Sequence, residues 1–487
     1  MQNKNNQATH LKKEILIRTI KAFLTDDFPA KARLIPYDMR PKGCAVPFRC
    51  CVYKERAILK ERTIAVLGFS IEEYDERISL SSYAQKALKR SKPETLPLTV
   101  LETACKGCVP SRIHVTDLCQ GCVARPCTTS CNFGAIDIIN GKALIDSEKC
   151  KNCQKCISAC PYSAITKVVV PCENACPVGA IAKNEKGHAK IDFEKCISCG
   201  KCVSICPFGA VHVKSQIIDI LKHIKENKKV IALVAPAIVG QLPYPIGKIK
   251  SAIMKCGFCD VMEVAHGADI TTKHEAEDFK QRMRRGDKFM TTSCCAAYNE
   301  LVDKHIEDMK PFRSDSHTPL YYTAEIAKKK CSDCITVFIS PCVAKKTEGM
   351  KNPNVDYVLS FEELGALLVA KKIEVNNCPD VPFEVESSKQ GRNFPLTGGV
   401  AKAVEVATNN DIVCRNVLVD GLNIQSIREL KKYAKNKNCE QGNLVEIMSC
   451  EGGCTGGNAC LNSYKTASKQ ITEYASNGKC VNDIEIE

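Results

Sequence analysis

The residues with the clearest chemistry are cysteines, and two stretches of the chain space them identically. Four cysteines separated by two, two and three residues, with proline after the last, begin at Cys150 and again at Cys196. This spacing lets three thiolates from one loop bind one 4Fe–4S cubane while the fourth binds a neighbouring cubane. A looser run begins at Cys119, and the phrases after the three runs (FGAI, YSAI and FGAV) indicate internal duplication.

The exchange of the fourth cysteine predicts which thiols share a cluster. The ligands of the three predicted cubanes are Cys119, Cys122, Cys127 and Cys160; Cys150, Cys153, Cys156 and Cys131; and Cys196, Cys199, Cys202 and Cys176. The cysteines left over in this block are Cys105, Cys108, Cys172 and Cys206. These four are enough for a fourth cubane, with four ordinary thiols as the alternative. Three to four clusters within reach of one another would form an electron-transfer chain.

The amount of cysteine, 33 in 487 residues, also points to metal–sulfur ligation. The polar N-terminus lacks the apolar core of an export signal, and disulfides in such numbers belong to exported proteins. No apolar run is long enough to span a membrane. We therefore expect a cytoplasmic protein without membrane insertion.

The net charge of +14 at pH 7 bears on possible partners. Cluster thiolates would offset part of this charge, and the remainder would attract an acidic protein. The chain shows no basic stripe interleaved with aromatic residues, so nucleic acid is not expected as a partner.

Composition and pattern divide the chain into three regions. Residues 1–100 have few cysteines and no assignable role, whereas residues 101–215 hold 16 cysteines. Residues 216–487 alternate short β-branched runs with helical patterns. We predict an α+β and α/β fold, with ferredoxin-like iron–sulfur domains in residues 101–215 and an α/β catalytic domain in residues 216–487.

Three cysteine phrases stand far apart in the last region. They read TTSCCAAY (291–298), ISPCVAKKTE (339–348) and VEIMSCEGGCTGG (445–457), and each follows an apolar or extended run. Ligands that gather beyond the carboxyl ends of strands are the expected geometry in α/β sheets. Four thiolates from these phrases could bind one more cubane, and the glycines after Cys450 would let the backbone approach a bulky cofactor.

These phrases, in this order and behind an iron–sulfur block, resemble those of FeFe-hydrogenases over roughly residues 100–460. The resemblance implies a two-lobed catalytic domain that binds an H-cluster. This cofactor is a 4Fe–4S cubane joined to a diiron unit that carries CO, cyanide and a bridging dithiolate amine. It also implies reversible interconversion of H2 with protons and electrons in anaerobic hydrogen metabolism, a ferredoxin-type electron carrier, and dedicated maturation proteins.

The resemblance further implies roles for single residues. The cubane ligands would be Cys295, Cys342, Cys450 and Cys454, the last of which would also bridge to the diiron unit. Lys345 would donate to a cyanide ligand. The remaining matches at the cofactor are Pro236, Ala237, Ser293, Pro341 and Met448, although Met448 is equally at home as a core methionine.

A proton relay is implied as well. It would run from the bridging amine through Cys294, Asp278, Ser314, Glu275 and Arg282, in that order. Three of these residues, Glu275, Asp278 and Arg282, fall at i, i+3 and i+7, which places them on one face of a helix. A solvated charged stripe is the alternative for that spacing.

The sequence departs from the usual family phrases. Ala296, Tyr298 and Ser340 stand where proline, tryptophan and methionine are usual, which indicates a divergent branch. The alternatives are a related iron–sulfur carrier or assembly protein, which would typically lack Cys294, and a hydrogen sensor, which would usually carry an added signalling module.

Two cysteine pairs remain outside these motifs. Each pair has two intervening residues: Cys256 and Cys259, and Cys331 and Cys334. A thiol switch or protection of the cofactor is one interpretation, and packing beside the catalytic domain is the other.

Overall fold

The computed structural model describes residues 6–44, 48–93 and 96–485. The first hundred residues form helices and one short strand. These elements are α1 (Gln7–Phe23), α2 (Phe28–Met39), α3 (Val52–Val66), α4 (Leu80–Lys89) and β1 (Leu98–Val100). The apolar spacing of residues 11–24 correctly predicted most of α1, which begins where the Asn6 side chain accepts a hydrogen bond from the Thr9 N–H.

The cysteine block consists of short strands and one-turn helices. They are β2 (Arg112–Val115), α5 (Pro126–Thr129), β3 (Ile136–Ile139), β4 (Lys142–Ile145), α6 (Lys155–Ala159), β5 (Ile165–Val168), α7 (Pro171–Ala175), β6 (Ile181–Lys183), β7 (Ala189–Ile191), α8 (Lys201–Ile205) and β8 (Val211–Val213). The antiparallel pairs are β2 with β5, β3 with β4, β6 with β7, and β1 with β8.

Backbone geometry repeats through this block as the phrases predicted. The second residue after the last cysteine of each run has a left-handed φ, and so does its counterpart in the half-run that ends at Cys176. These four positions are Asn132-flanked Gly134, Ser163, Gly179 and Gly209. The internal duplication read from the sequence is therefore present in the chain conformation.

The last region is built from helices and parallel strands. Its helices are α9 (Ile217–Lys225), α10 (Ile246–Lys255), α11 (Val264–Arg284), α12 (Ala296–His305), α13 (Pro319–Lys330), α14 (Ala344–Lys351), α15 (Phe361–Ala370), α16 (Lys389–Asn393), α17 (Gly399–Ala407), α18 (Ile424–Asn436) and α19 (Tyr464–Ser476). Its strands are β9 (Val230–Val234), β10 (Asp260–Glu263), β11 (Met290–Thr291), β12 (Ile335–Ser340), β13 (Tyr357–Ser360), β14 (Asn416–Asp420) and β15 (Leu444–Met448). Short 3-10 helices cover Pro236–Gly240, Glu307–Phe312, Val375–Asn377, Gly453–Gly456 and Val481–Asp483.

Two parallel sheets organise this region into two lobes. One has the order β10–β9–β12–β13, in which Val337 of β12 pairs with Ala232 and Tyr357. The other has the order β11–β15–β14, in which Leu444 of β15 pairs with Met290. The sequence-based expectation of ferredoxin-like domains followed by a two-lobed α/β domain is confirmed.

The N-terminal helices share one hydrophobic core with the first lobe. This core contains Ile15 and Ile20 of α1 together with Leu233 of β9 and Leu367 of α15. None of the helices in the described ranges is long and apolar enough to cross a membrane.

One buried ion pair joins the N-terminal helices to the last region. Arg90, directly after α4, donates from Nε and from one terminal nitrogen to the two carboxylate oxygens of Asp219, at 2.8 and 2.5 Å. The Asp219 side chain is completely buried. A fork of this kind fits a carboxylate better than any other cation does.

We expect Arg90→Met to loosen the packing of the N-terminal helices, because Asp219 would stay buried without its cation. Loss of one partner of a buried pair typically costs about 3–5 kcal/mol. The apparent urea midpoint and the rate of proteolysis before residue 100 measure this. The control is Arg77→Met, since Arg77 is 87% exposed in its pair with Asp75 and should matter little. Equal effects of the two substitutions would contradict the prediction.

Candidate active site and accessory metal centres

The three cysteine phrases follow the carboxyl ends of strands from both sheets. Cys342 lies two residues after β12, Cys450 two residues after β15, and Cys295 four residues after β11. The turn after Cys450 requires left-handed backbone at Gly452 and Gly453. A side chain at Gly453 would come within 2.4 Å of the Pro395 carbonyl oxygen, so only glycine fits there.

The four predicted cubane ligands lie together. Cys450 lies within electrostatic reach of Cys342, Cys295 and Cys454. Burial raises the pKa of the Cys342 thiol to about 11 and raises the pKa of Cys450 and Cys454 as well. Thiols in such a place become thiolates only when a cation pays their desolvation, and bound iron is such a cation.

The arrangement fits a cubane and not a single ion. No group of three or more His, Cys, Asp or Glu side chains within the described ranges could hold one metal ion. A cubane takes one thiolate on each of several irons, so its ligands stand farther apart than those of a mononuclear site.

Lys345 lies beside the four thiols on α14. Its Nζ donates to Glu348 Oε2 at 2.6 Å and to the Cys294 carbonyl oxygen at 3.3 Å. Burial alone would lower the pKa of Lys345, but Glu348 and the nearby Cys294 and Cys454 sulfurs outweigh burial and raise it. Lys345 is therefore a buried ammonium that is charged at neutral pH.

The other predicted cofactor contacts surround the same place. The 3-10 helix that contains Pro236 and Ala237 contacts the helix Gly453–Gly456, which carries Cys454. Met448 packs in one buried cluster with Cys294 and Cys295. The Pro341 carbonyl accepts from the Ala459 N–H at 3.0 Å.

The structure reverses the two carboxylates of the expected relay. Glu275, not Asp278, is the carboxyl whose charge reaches Cys294. Glu275 is fully buried, and its Oε1 accepts from the Ser293 N–H at 2.9 Å and from Ser293 Oγ at 3.0 Å. Burial raises the pKa of Glu275 to about 7. The expected order, with Asp278 on the inside, was wrong because helical spacing does not say which end of a face points inward.

Asp278 lies on the outer side with Arg282. Its Oδ1 accepts from Arg282 Nε at 2.6 Å, and its Oδ2 accepts from the Asp315 N–H at 3.0 Å. Arg282 also donates to Asp315 Oδ2 at 2.7 Å, and the Asp315 side chain is 88% exposed. The outer pair thus reaches solvent.

Ser314 is close to this helix but is bonded elsewhere. Its N–H donates to the Thr291 carbonyl at 2.8 Å, and its Oγ accepts from the Ser316 N–H at 3.2 Å. Among the described hydrogen bonds, the hydroxyl that donates to Glu275 belongs to Ser293.

Glu446, inside β15, is a buried carboxyl to which the sequence analysis gave no role. Its oxygens accept from the N–H groups of Gly398 and Ala401, each at 2.7 Å, at the start of α17. Burial raises the pKa of Glu446 to about 7, and its charge reaches Cys294. The available signal was one glutamate in the otherwise apolar run LVEIM.

The accessory cysteines gather in the predicted groups of four. Three cavities in the cysteine block are lined by four cysteines each: Cys119, Cys122, Cys127 and Cys160; Cys131, Cys150, Cys153 and Cys156; and Cys105, Cys108, Cys172 and Cys206. The remaining group holds Cys176, Cys196, Cys199 and Cys202, which lie within electrostatic reach of one another.

The groups also approach one another. Cys202 lies within reach of Cys172, and Cys199 within reach of Cys450. Asn458 ties the last two groups together, since its side chain donates to the Cys199 carbonyl and accepts from the Val343 N–H, both at 3.3 Å.

The two remaining cysteine pairs come together at the far side of the first lobe. Cys259 lies within electrostatic reach of Cys331, and buried Cys256 within reach of Cys378. The predicted thiol switch and simple packing both stay open there.

Comparison with known proteins places this geometry in a family. Residues 228–458 match the iron only hydrogenase large subunit, C-terminal domain, and residues 143–166 and 189–212 match the 4Fe–4S binding domain. The chain is 28% identical to the NADP-reducing hydrogenase subunit HndD of Solidesulfovibrio fructosivorans over 295 residues, which are 47% of this chain and 50% of that protein.

Two further relatives are iron hydrogenases. Iron hydrogenase 1 of Clostridium pasteurianum is 26% identical over 287 residues, 47% of this chain and 50% of that protein. The periplasmic Fe hydrogenase large subunit of Nitratidesulfovibrio vulgaris is 30% identical over 292 residues, 53% of this chain and 66% of that protein. The chain thus spans about half the length of the first two relatives. Through residues 228–458, it belongs to the family of iron-only hydrogenase large subunits, whose C-terminal domain those residues form.

Proposed function

We propose that the chain interconverts H2 with protons and electrons at an H-cluster. The observation that carries this proposal is the convergence of four buried thiols from three strand ends beside the buried ammonium of Lys345 and the thiol of Cys294. When bound, the H-cluster supplies the iron at which hydrogen is split or formed.

The chain's own residues hold and orient that cofactor. Cys295, Cys342, Cys450 and Cys454 bind the cubane, and Cys454 also bridges to the diiron unit. Lys345 donates to an anionic cyanide ligand, for which a charged donor in a dry pocket is well suited. Glu348 fixes the ammonium in place, and its other oxygen accepts from Thr318 Oγ1 at 2.5 Å.

Proton transfer begins at Cys294 and continues to Glu275. A carboxyl with a pKa near the working pH both accepts and releases a proton readily, and Glu275 has one. From there the proton leaves along the face of α11 towards Asp278, Arg282 and solvent. Ser293 holds the Glu275 carboxyl in position through two hydrogen bonds.

Electrons travel through four accessory cubanes. The group that contains Cys199 is next to the active-site thiols, and the group that contains Cys172 follows it. The two groups between residues 119 and 160 form the outer end. The excess of basic residues favours an acidic low-potential carrier of the ferredoxin type in the cytoplasm. Maturation proteins deliver the diiron unit.

Infrared spectroscopy of anaerobically matured protein tests the cofactor. We expect bands of metal-bound CO and cyanide, and we expect Cys454→Ser to lose them because a hydroxyl bridges iron less well than a soft thiolate. The matched control is Cys460→Ser, a buried thiol six residues on that is not a proposed ligand. Absence of the bands from wild-type protein with loaded cubanes would favour the carrier or assembly class instead.

Glu275→Gln tests the corrected relay. The variant should keep the infrared bands and lose at least about tenfold in turnover, roughly 1.4 kcal/mol of barrier. Wild-type turnover should change near pH 7, where the raised pKa of Glu275 lies, and this change should vanish in the variant.

The control for this substitution is Glu277→Gln, an exposed neighbour on the same helix whose side chain bonds only to Gln281 among the described contacts. A Glu275→Gln protein that assembles the cofactor and turns over at the wild-type rate would rule out this route.

Cys199→Ser tests the electron path. It should remove one accessory cubane, about four irons per chain, and slow exchange with an external carrier. Isotope exchange between hydrogen and solvent protons should largely survive, because it needs no electron to leave the active site. Cys259→Ser, which alters an exposed thiol far from the clusters, should leave iron content unchanged. Equal iron in the Cys199→Ser and wild-type proteins would contradict the ligand assignment.

A further inference from the structure

A cavity of about 110 Å³ lies where the N-terminal helices meet the iron–sulfur block. Its walls come from α1, α3, the stretch that contains α8 and β8, and the loop after Cys454. Several side chains that face it have no part in the proton and electron routes described above.

The cavity is lined by more positive than negative charge. Lys12, Lys13 and Arg62 contribute cations, and Glu362 contributes one carboxylate, which pairs with Lys12. Lys13 has no carboxylate within 4 Å among the described residues. The lining therefore attracts an anion.

Arg62 presents an unused donor to this cavity. The residue is 4% exposed, and one terminal nitrogen donates to the Phe208 carbonyl at 3.1 Å. Its Nε is buried and has no partner among the described atoms. Burial lowers the pKa of Arg62 to about 10, so the guanidinium is still charged at neutral pH. An unpaired N–H on a buried cation is costly unless a ligand accepts from it.

His212 presents an unused acceptor. It is 2% exposed, and its Nδ1 lies 2.9 Å from the Val213 carbonyl oxygen. A carbonyl only accepts, so Nδ1 carries the hydrogen and Nε2 carries a lone pair. Nε2 is buried without a partner among the described atoms. Burial lowers the pKa of His212 to about 3, which keeps the ring neutral.

We propose that this cavity binds a small oxyanion that also carries a hydroxyl group, such as hydrogenphosphate or hydrogencarbonate. Its oxygens accept from Lys13 and from Arg62 Nε, and its hydroxyl donates to His212 Nε2. One ligand of this class satisfies both orphaned groups and the excess positive charge.

The size of the cavity sets the class of ligand. Pockets for nucleotides and drug-sized molecules are roughly 300–1,000 Å³, several times larger. The volume equals that of about four water molecules, at about 30 Å³ each. Water could satisfy Nε and Nε2 but would leave the positive charge uncompensated, so an anion should displace it.

The position of the cavity links ligand binding to electron transfer. Cys206 belongs to the lining, and the charge of Arg62 interacts with that sulfur. A bound anion would offset the field of Arg62 and lower the reduction potential of the cubane that Cys206 helps to hold. This consequence rests on the proposed function, whereas anion binding itself does not.

Calorimetry on the anaerobic holoprotein tests the binding. At pH 7.5 and constant ionic strength, hydrogenphosphate and hydrogencarbonate are each compared with sulfate. Sulfate has no hydroxyl and would set an oxygen lone pair against His212 Nε2. We expect it to bind at least about tenfold more weakly, which is about 1.4 kcal/mol. Sulfate that binds as tightly as hydrogenphosphate, or no binding by either hydroxylated anion, would overturn the proposal.

Variants separate this cavity from other basic surfaces. Lys13→Gln should weaken hydrogenphosphate at least about fivefold, roughly 1 kcal/mol. The matched control is Lys21→Gln, on the exposed side of the same helix, which should change nothing. His212→Gln supplies an amide donor, so sulfate should bind as well as hydrogenphosphate does. Unchanged binding in Lys13→Gln, or unchanged discrimination in His212→Gln, would refute the site.

A redox titration followed by electron paramagnetic resonance tests the link to the clusters. With hydrogenphosphate, the potential of one accessory cubane should fall in wild-type protein and stay constant in Lys13→Gln. A potential that does not move while calorimetry shows binding would overturn the link. Binding in protein that lacks the infrared bands of CO and cyanide would leave this site intact while the proposed function fails.

Discussion

The site depends on one constraint: thiols from distant segments must meet where water does not compete for them. Burial raises the pKa of Cys342 to about 11, so these groups are neutral as long as no cation is near. Once they ionise, they repel one another, and only bound iron can compensate. The fold therefore holds either protonated thiols or a loaded cluster. Metal loading and the order of the site are linked for this reason.

The same burial sets the acid–base groups around the cofactor. Glu275 and Glu446 are both buried carboxyls with a pKa of about 7, and both interact with Cys294. Farther out, Asp278 is paired with Arg282 and reaches solvent through Asp315. Acidic groups thus change from readily protonated inside to firmly ionised outside. That gradient suits a path that must exchange protons with water without admitting water to the cofactor.

Local spacing carried most of the prediction because cluster ligands come from single loops. The accessory groups, the parallel strands and the convergence of the phrases that contain Cys295, Cys342 and Cys450 all follow from short motifs. The inner position of Glu275 did not follow, because a helix face has two ends and only the neighbouring strand selects one. The roles of Glu446 and His212 were equally hidden, since each depends on burial by segments far away in the sequence.

The electron path finally depends on how firmly the iron–sulfur block is held against the catalytic domain. Lys304 donates to the Cys196 carbonyl at 2.7 Å, and Asn458 donates to the Cys199 carbonyl, so both ends of one cluster loop are fixed by the catalytic domain. On the opposite side, Arg62 bonds to the Phe208 carbonyl from α3. The N-terminal helices therefore do more than cover a core: they complete the contacts around the inner clusters. Because electron tunnelling falls steeply with distance, a loop held from both sides keeps the step between the third cluster and the active site constant.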